Sequence, residues 1–139
     1  MRFVVPLIVV AAAGLATLVG TVVFQASTRP RVADRDPTVR LLSTGQRVDL
    51  VQHIKSRGWT LIEFMGAFAP ECRKVGKRLD AVVRRRPDLR VRVIDIGSYE
   101  SDVAQQYEIE SVPTLWLYRD GQLVATEADA VWQQLEAVK

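Results

Sequence analysis

The chain has 139 residues, enough for one domain with a real core and little besides. Lys and Arg number 19 against 16 Asp and Glu, and the net charge of +3 is scattered, which excludes the clustered basic face that nucleic-acid binding requires. One cysteine excludes an internal disulfide and a thiolate-built zinc site, and one histidine leaves most metal and triad schemes without parts.

Residues 1–28 read as an N-terminal membrane anchor. Phe3 to Thr28 carries no charge, and Phe3 to Phe24 is a 22-residue run of Val, Leu, Ile, Ala, Gly and Phe broken only by Pro6 and two Thr. About 20 such residues span a bilayer core as a helix, with lipid as their partner. A cleaved secretory signal is the competing reading. Its apolar region would run only about 7–15 residues to a small-x-small site, and cleavage after Ala26 would set Phe24 where a small side chain is preferred. Arg2 and the terminal amine flank one side of the run, and Arg29, Arg31, Arg35 and Arg40, offset by Asp34 and Asp36, the other. The charge rule discriminates little here. A very short N-terminal flank is easily kept in the cytoplasm, so the expectation is a single-pass protein with its domain on the extracytoplasmic side.

Residues 29–38 read as a linker, with two Pro, alternating charge and no apolar period. The domain is expected over 39–139. Val39 to Leu42 suggests a short strand. Arg47 to Arg57 predicts a helix with Val48, Val51 and Ile54 on its apolar face and Gly58 as its stop. His53 on that helix lacks a second ligand nearby and reads as a surface residue.

Trp59 to Met65 is an almost continuous apolar run, the pattern of a strand buried on both faces. Glu63 is its anomaly, because a carboxylate in a central strand is costly unless paired or protonated. Ala69-Pro70-Glu71 opens a helix: Pro suits the first turn, and Glu favours the positive end of the dipole. Cys72, Val75, Leu79, Val82 and Val83 form one face of that helix, so the thiol points toward the core. Arg84-Arg85-Arg86 reads as a solvated helix end. Pro87-Asp88 breaks the helix, and Arg90 to Ile96 is a strand. Ser101 to Tyr107 is a short helix that Ser101 could cap. Thr114 to Tyr118 and Leu123 to Thr126 form a hairpin around Asp120-Gly121, and Ala128 to Val138 closes the chain as a helix. The order describes an α/β sandwich whose parallel strands are joined by a right-handed crossover.

This order and three landmarks in register resemble the thioredoxin family over about Val39 to Val138. The landmarks are the junction from Glu63-Phe64 to Cys72-Arg73, the segment Tyr107-Glu108-Ile109-Glu110-Ser111-Val112-Pro113-Thr114-Leu115, and the hairpin Tyr118-Arg119-Asp120-Gly121-Gln122-Leu123-Val124. The resemblance implies a thioredoxin-like three-layer α/β/α sandwich with a central mixed sheet. It sets Phe68-Ala69-Pro70-Glu71-Cys72 against the family's Trp-Cys-Gly-Pro-Cys. Ala69 then stands at the nucleophilic cysteine, Cys72 at the resolving one and Glu63 at the buried acid that assists proton transfer. Pro113 matches the cis proline that presents the chain around Val112 to an extended substrate.

Exchange needs an exposed thiolate of lowered pKa, and the helix N-terminus supplies that environment at position 69 rather than at Cys72. The first expectation is therefore a binding module without disulfide exchange. It would dock another membrane or envelope protein at Phe68, Ala69, Pro70, Val112 and Pro113, with no cofactor. The second is a thiol–disulfide oxidoreductase working through Cys72 and Glu63, with glutathione or a partner thiol completing the cycle. A third makes the chain an accessory subunit of a membrane complex, with Ala11, Gly14, Ala16 and Gly20 supplying small residues for helix packing.

Overall fold

The computed structural model of the chain describes residues 38–137. The expected membrane anchor over 1–28 and nearly all of the linker lie outside those residues. Among the described residues no helix is long and apolar enough to cross a membrane.

Five strands form one mixed sheet: β1 (Val39–Thr44), β2 (Trp59–Met65), β3 (Leu89–Asp95), β4 (Thr114–Arg119) and β5 (Gln122–Ala125), in the order β1-β3-β2-β4-β5. β1, β3 and β2 run parallel, and β4 and β5 are antiparallel. Three helices complete the fold: α1 (Pro70–Arg85), α2 (Asp102–Gln106) and α3 (Ala128–Glu136). β2 is central, hydrogen-bonded to β3 and β4, and five of its seven residues are buried. Side chains alternate along a strand, so β2 serves two cores. Leu61 packs with Leu79 and Val82 of α1 and Val131 and Leu135 of α3. Ile62 and Phe64 pack on the other face with Ile94, Val103 and Ala104 of β3 and α2. The layers are helix, sheet, helix, as the sequence implies.

α1 buries Cys72, Leu79 and Val82 and half-buries Val75 and Val83, the face that the spacing predicts. Ser101 caps α2, its hydroxyl accepting from the Ala104 amide at 3.3 Å. Asp120 and Gly121 have φ of 51° and 81°, the two positive values that a tight two-residue hairpin turn requires.

Three expectations change. Arg47 to Arg57 is not a helix; only Leu50–His53 forms a single 3-10 turn. Its backbone groups are claimed elsewhere. The Gln106 side chain accepts from the Val48 amide and donates to the Val48 carbonyl, at 3.0 and 2.9 Å. The Tyr107 hydroxyl donates to the same carbonyl and accepts from the Leu50 amide. Val48 and Leu50 are buried by these bonds, while Val51 is 79% exposed. His53 is half-buried rather than on the open surface. The arginine run also divides. Arg84 and Arg85 are exposed at the helix end, but Arg86 is buried, bidentate to Asp88 at 2.7 and 2.9 Å and donating to the Leu135 carbonyl at 3.1 Å. That fork holds the Asp88 carboxyl below its usual range.

Candidate functional site

The carboxyl ends of the parallel strands lie side by side, with Met65 of β2 and Thr44 of β1 both paired to Asp95. The connection leaving β2 enters α1 on one face of the sheet, and the one leaving β3 enters α2 on the other. A crevice opens where neighbouring strands send their connections to opposite faces, and such crevices are where α/β sheets place ligands. The loops 66–69 and 97–101 meet at this edge through Phe68 and Tyr99, and the segment 111–113 leads into Thr114, which pairs with Phe64 of β2.

Two aromatic rings mark it. Phe68 is 52% exposed and Tyr99 is 42% exposed, and their rings meet edge to face at 5.5 Å. Gly66 makes room for Phe68: a Cβ there would come within 2.5 Å of the ring. Tyr99 is a site residue that sequence reasoning missed. Its one signal was an aromatic just past Gly97-Ser98, directly after a strand. Across the crevice, Val112 and Pro113 are half-buried and joined by a cis peptide bond, as the resemblance implies. The Thr114 hydroxyl donates to the Ser111 carbonyl at 2.7 Å.

Ala69 is the N-cap of α1, half-buried and with no side chain able to cap the helix, and Pro70 is exposed at the first position. The Cys72 amide donates to the Ala69 carbonyl at 3.2 Å. The thiol itself turns inward and is 5% exposed, and the Gly66 amide donates to its sulfur at 3.5 Å. Burial pushes the Cys72 thiol above its ordinary value, opposed by the Gly66 bond and reinforced by Glu63, Asp95 and Glu71.

Glu63 lies on the same face of the sheet, between Val93 and Leu115, and is 5% exposed. No described residue pairs with it in an ion pair or hydrogen bond. Desolvation, with help from Asp80, raises its pKa to about 7. No described cation answers the anomaly in the strand; burial instead shifts the carboxyl toward its protonated form. All seven residues singled out from the sequence gather at this edge: Cys72 and Glu63 beneath it, and Phe68, Ala69, Pro70, Val112 and Pro113 at its surface. Among the described residues no three His, Cys, Asp or Glu side chains gather to hold a metal.

The arrangement also places the chain among known proteins. The thioredoxin family pattern matches residues 39–138. Thioredoxin 1 of Synechococcus elongatus is 36% identical over 72 residues, covering 51% of this chain and 66% of the relative. Thioredoxin-2 of Pyricularia oryzae is 27% identical over 101 residues, covering 73% of this chain and 57% of the relative. The chain thus spans 66% and 57% of these two relatives' own length. Among solved structures, oxidized mitochondrial thioredoxin 3 of Saccharomyces cerevisiae superposes with a TM-score of 0.56 at 22% identity, covering 70% of this chain and 95% of that one. With the mixed five-stranded sheet, the switch-point crevice and the family pattern over the whole domain, the chain belongs to the thioredoxin family.

Proposed function

We propose that this thioredoxin-family domain is a membrane-tethered docking module. It takes an extended segment of another membrane or envelope protein against Phe68, Ala69, Pro70, Val112 and Pro113, and it performs no disulfide exchange of its own. The apolar run Phe3 to Phe24 supports the tether, with the domain on the extracytoplasmic side. One observation carries the reading: the sole thiol is buried, which pushes its pKa up, while the helix-capping position carries only a methyl group. A thiol without thiolate character is a poor nucleophile. The exposed Phe68–Tyr99 pair beside a cis-proline segment offers apolar contact instead.

A second reading has its own support. Glu63, raised to about 7, contributes to the field at Cys72 and can exchange a proton at neutral pH. A Cys72 thiolate formed that way would attack a disulfide to give a mixed disulfide and release one thiol. A second thiol such as glutathione would then displace Cys72.

Alkylation across pH separates the two. In the docking module Cys72 stays unmodified at about pH 8 until denaturant unfolds the domain. A thiol that reacts below about pH 7 in the folded chain overturns the proposal in favour of the enzyme. Docking is read with a photo-activatable side chain at Phe68 in native membranes. One protein adduct, weakened by Val112→Asp, is expected; adducts with lipid alone, or none, sink the docking reading.

A further inference from the structure

The exposed aromatic pair at the carboxyl ends of the strands sits in a local excess of negative charge. Three stretches carry the rings and the cis peptide bond: 66–72, 95–102 and 108–113. They hold Glu71, Asp95, Glu100, Asp102, Glu108 and Glu110, six of the chain's 16 acids, and none of its 19 Lys and Arg. The chain as a whole is +3, so the imbalance is local. All of the six but Asp95 are exposed. Only Glu71 forms an ion pair with a described residue, Lys74 at 3.8 Å, and those two side chains are 60% and 80% exposed. Such a pair cancels little. Asp95 accepts from the Gly97 amide at 2.9 Å, a bond that places the carboxylate and leaves its charge.

The cations nearest these stretches in sequence do not offset them. They are Arg47, two residues from Asp49, and Arg73 and Lys74 on α1. With all three counted, the acids still lead six to three. The Cys72 sulfur registers the sign of the field. Burial is the largest cause pushing its pKa up; the charges that add to it, Glu63, Asp95 and Glu71, are all carboxylates, and no cation opposes them.

Like charges gathered on one face repel one another, so they act against the fold. Around an apolar seat they act on what approaches. Phe68 and Tyr99 supply the seat, and the acids beside them attract a cationic chain and repel an acidic one. The same sign turns away an anionic bilayer or a nucleic acid.

We propose that the crevice selects a basic partner: an extended protein segment that sets an apolar side chain against Phe68 and Tyr99 and carries Lys or Arg on either side of it. The proposal rests on the docking reading of the same surface and names the chemistry of its partner.

The test uses the full chain in native membranes, with a photo-activatable phenylalanine in place of Phe68. Side chains alternate along an extended segment, so sequencing of the adduct should find Lys or Arg within about three residues of the crosslinked position. Glu100→Lys combined with Glu110→Lys should cut the adduct yield about fivefold, and about 0.5 M NaCl should do the same to the parent. The salt arm needs no variant, so it holds even where the double variant folds poorly. Arg57→Glu, beside the start of β2 at the other end of the sheet, should leave the yield unchanged. A yield that neither salt nor charge reversal lowers overturns the proposal, and so does a crosslinked segment without a cation. An effect of Arg57→Glu as large as that of the double variant also overturns it, since the charge would then act from anywhere on the domain. Absence of any protein adduct fails the docking reading instead. The charge preference is then judged on the free chain with two synthetic peptides, a Leu flanked by Lys and a Leu flanked by Glu. Amide shifts at Phe68, Tyr99 and Val112 with the lysine peptide alone uphold it; equal shifts, or none, overturn it.

Discussion

Glu63 sets a carboxyl group inside the central strand of the sheet. A carboxyl buried between Val93 and Leu115, with no described cation beside it, stays protonated to about pH 7 in the folded chain and ionises near 4.5 once unfolded. The folded-state value is the raised one. The contribution of this group is therefore fully present below about pH 4.5 and is lost as pH rises to about 7. Over that window of 2.5 units the unfolded state gains by about 3 kcal/mol. The expected outcome is that urea melts of the parent lose stability between pH 4.5 and 7 relative to Glu63→Gln, and that the glutamine variant is the more stable above pH 7. Equal slopes for the two proteins would mean that Glu63 is ionised in the fold. The same residue shows what composition can and cannot tell. The misfit of Glu in an apolar run was legible. Whether pairing or protonation resolves it depended on α1 bringing Cys72 and Asp80 over the strand rather than a Lys or Arg.

Among the elements, β2 and α1 were legible because burial and period agree. Trp59–Met65 is apolar almost throughout, and the inward face of α1 follows a helical spacing from Cys72 to Val83. The segment 47–57 misled because Val48, Val51 and Ile54 also fall at helical spacing, while the backbone of Val48 and Leu50 finds its partners nearly sixty residues away, in Gln106 and Tyr107. Side chains that capture local backbone groups compete with a helix, and distant ones leave no local signal. Tyr99 was hidden for a related reason, since its partner Phe68 comes from another loop. The bonded segment carries its own prediction. Tyr107→Phe keeps the ring tilted against Phe64 and edge-on to Trp116 but leaves the buried Leu50 amide without its acceptor. The cost should be about 1–2 kcal/mol in urea unfolding, with faster hydrogen exchange confined to about residues 48–54. Unchanged stability and exchange would show that the turn is held by apolar contact alone.

At the scale of the whole domain, the carboxyl ends of β1, β3 and β2 carry the candidate site. Nothing in the core depends on the residue at position 69, which caps α1 with backbone alone. The fold and the chemistry are therefore separable, and restoring one atom type tests this. The side chains of an N-cap and of the third helical residue reach toward each other, as they do when a capping box forms. Ala69→Cys places a second thiol at the cap, where the helix N-terminus favours the thiolate, beside Cys72 at the third position. The new thiolate would attack a disulfide and release one thiol. Cys72 would then displace the second, leaving a 69–72 disulfide in the protein and two reduced thiols in the substrate. Supplied with dithiothreitol to re-reduce it, the Ala69→Cys chain should reduce insulin disulfides at least about tenfold faster than the parent. A parent that already turns over at the variant's rate would show Cys72 to be a working nucleophile. A variant that forms the internal disulfide but gains no activity would locate the loss in the docking surface rather than in the missing thiol.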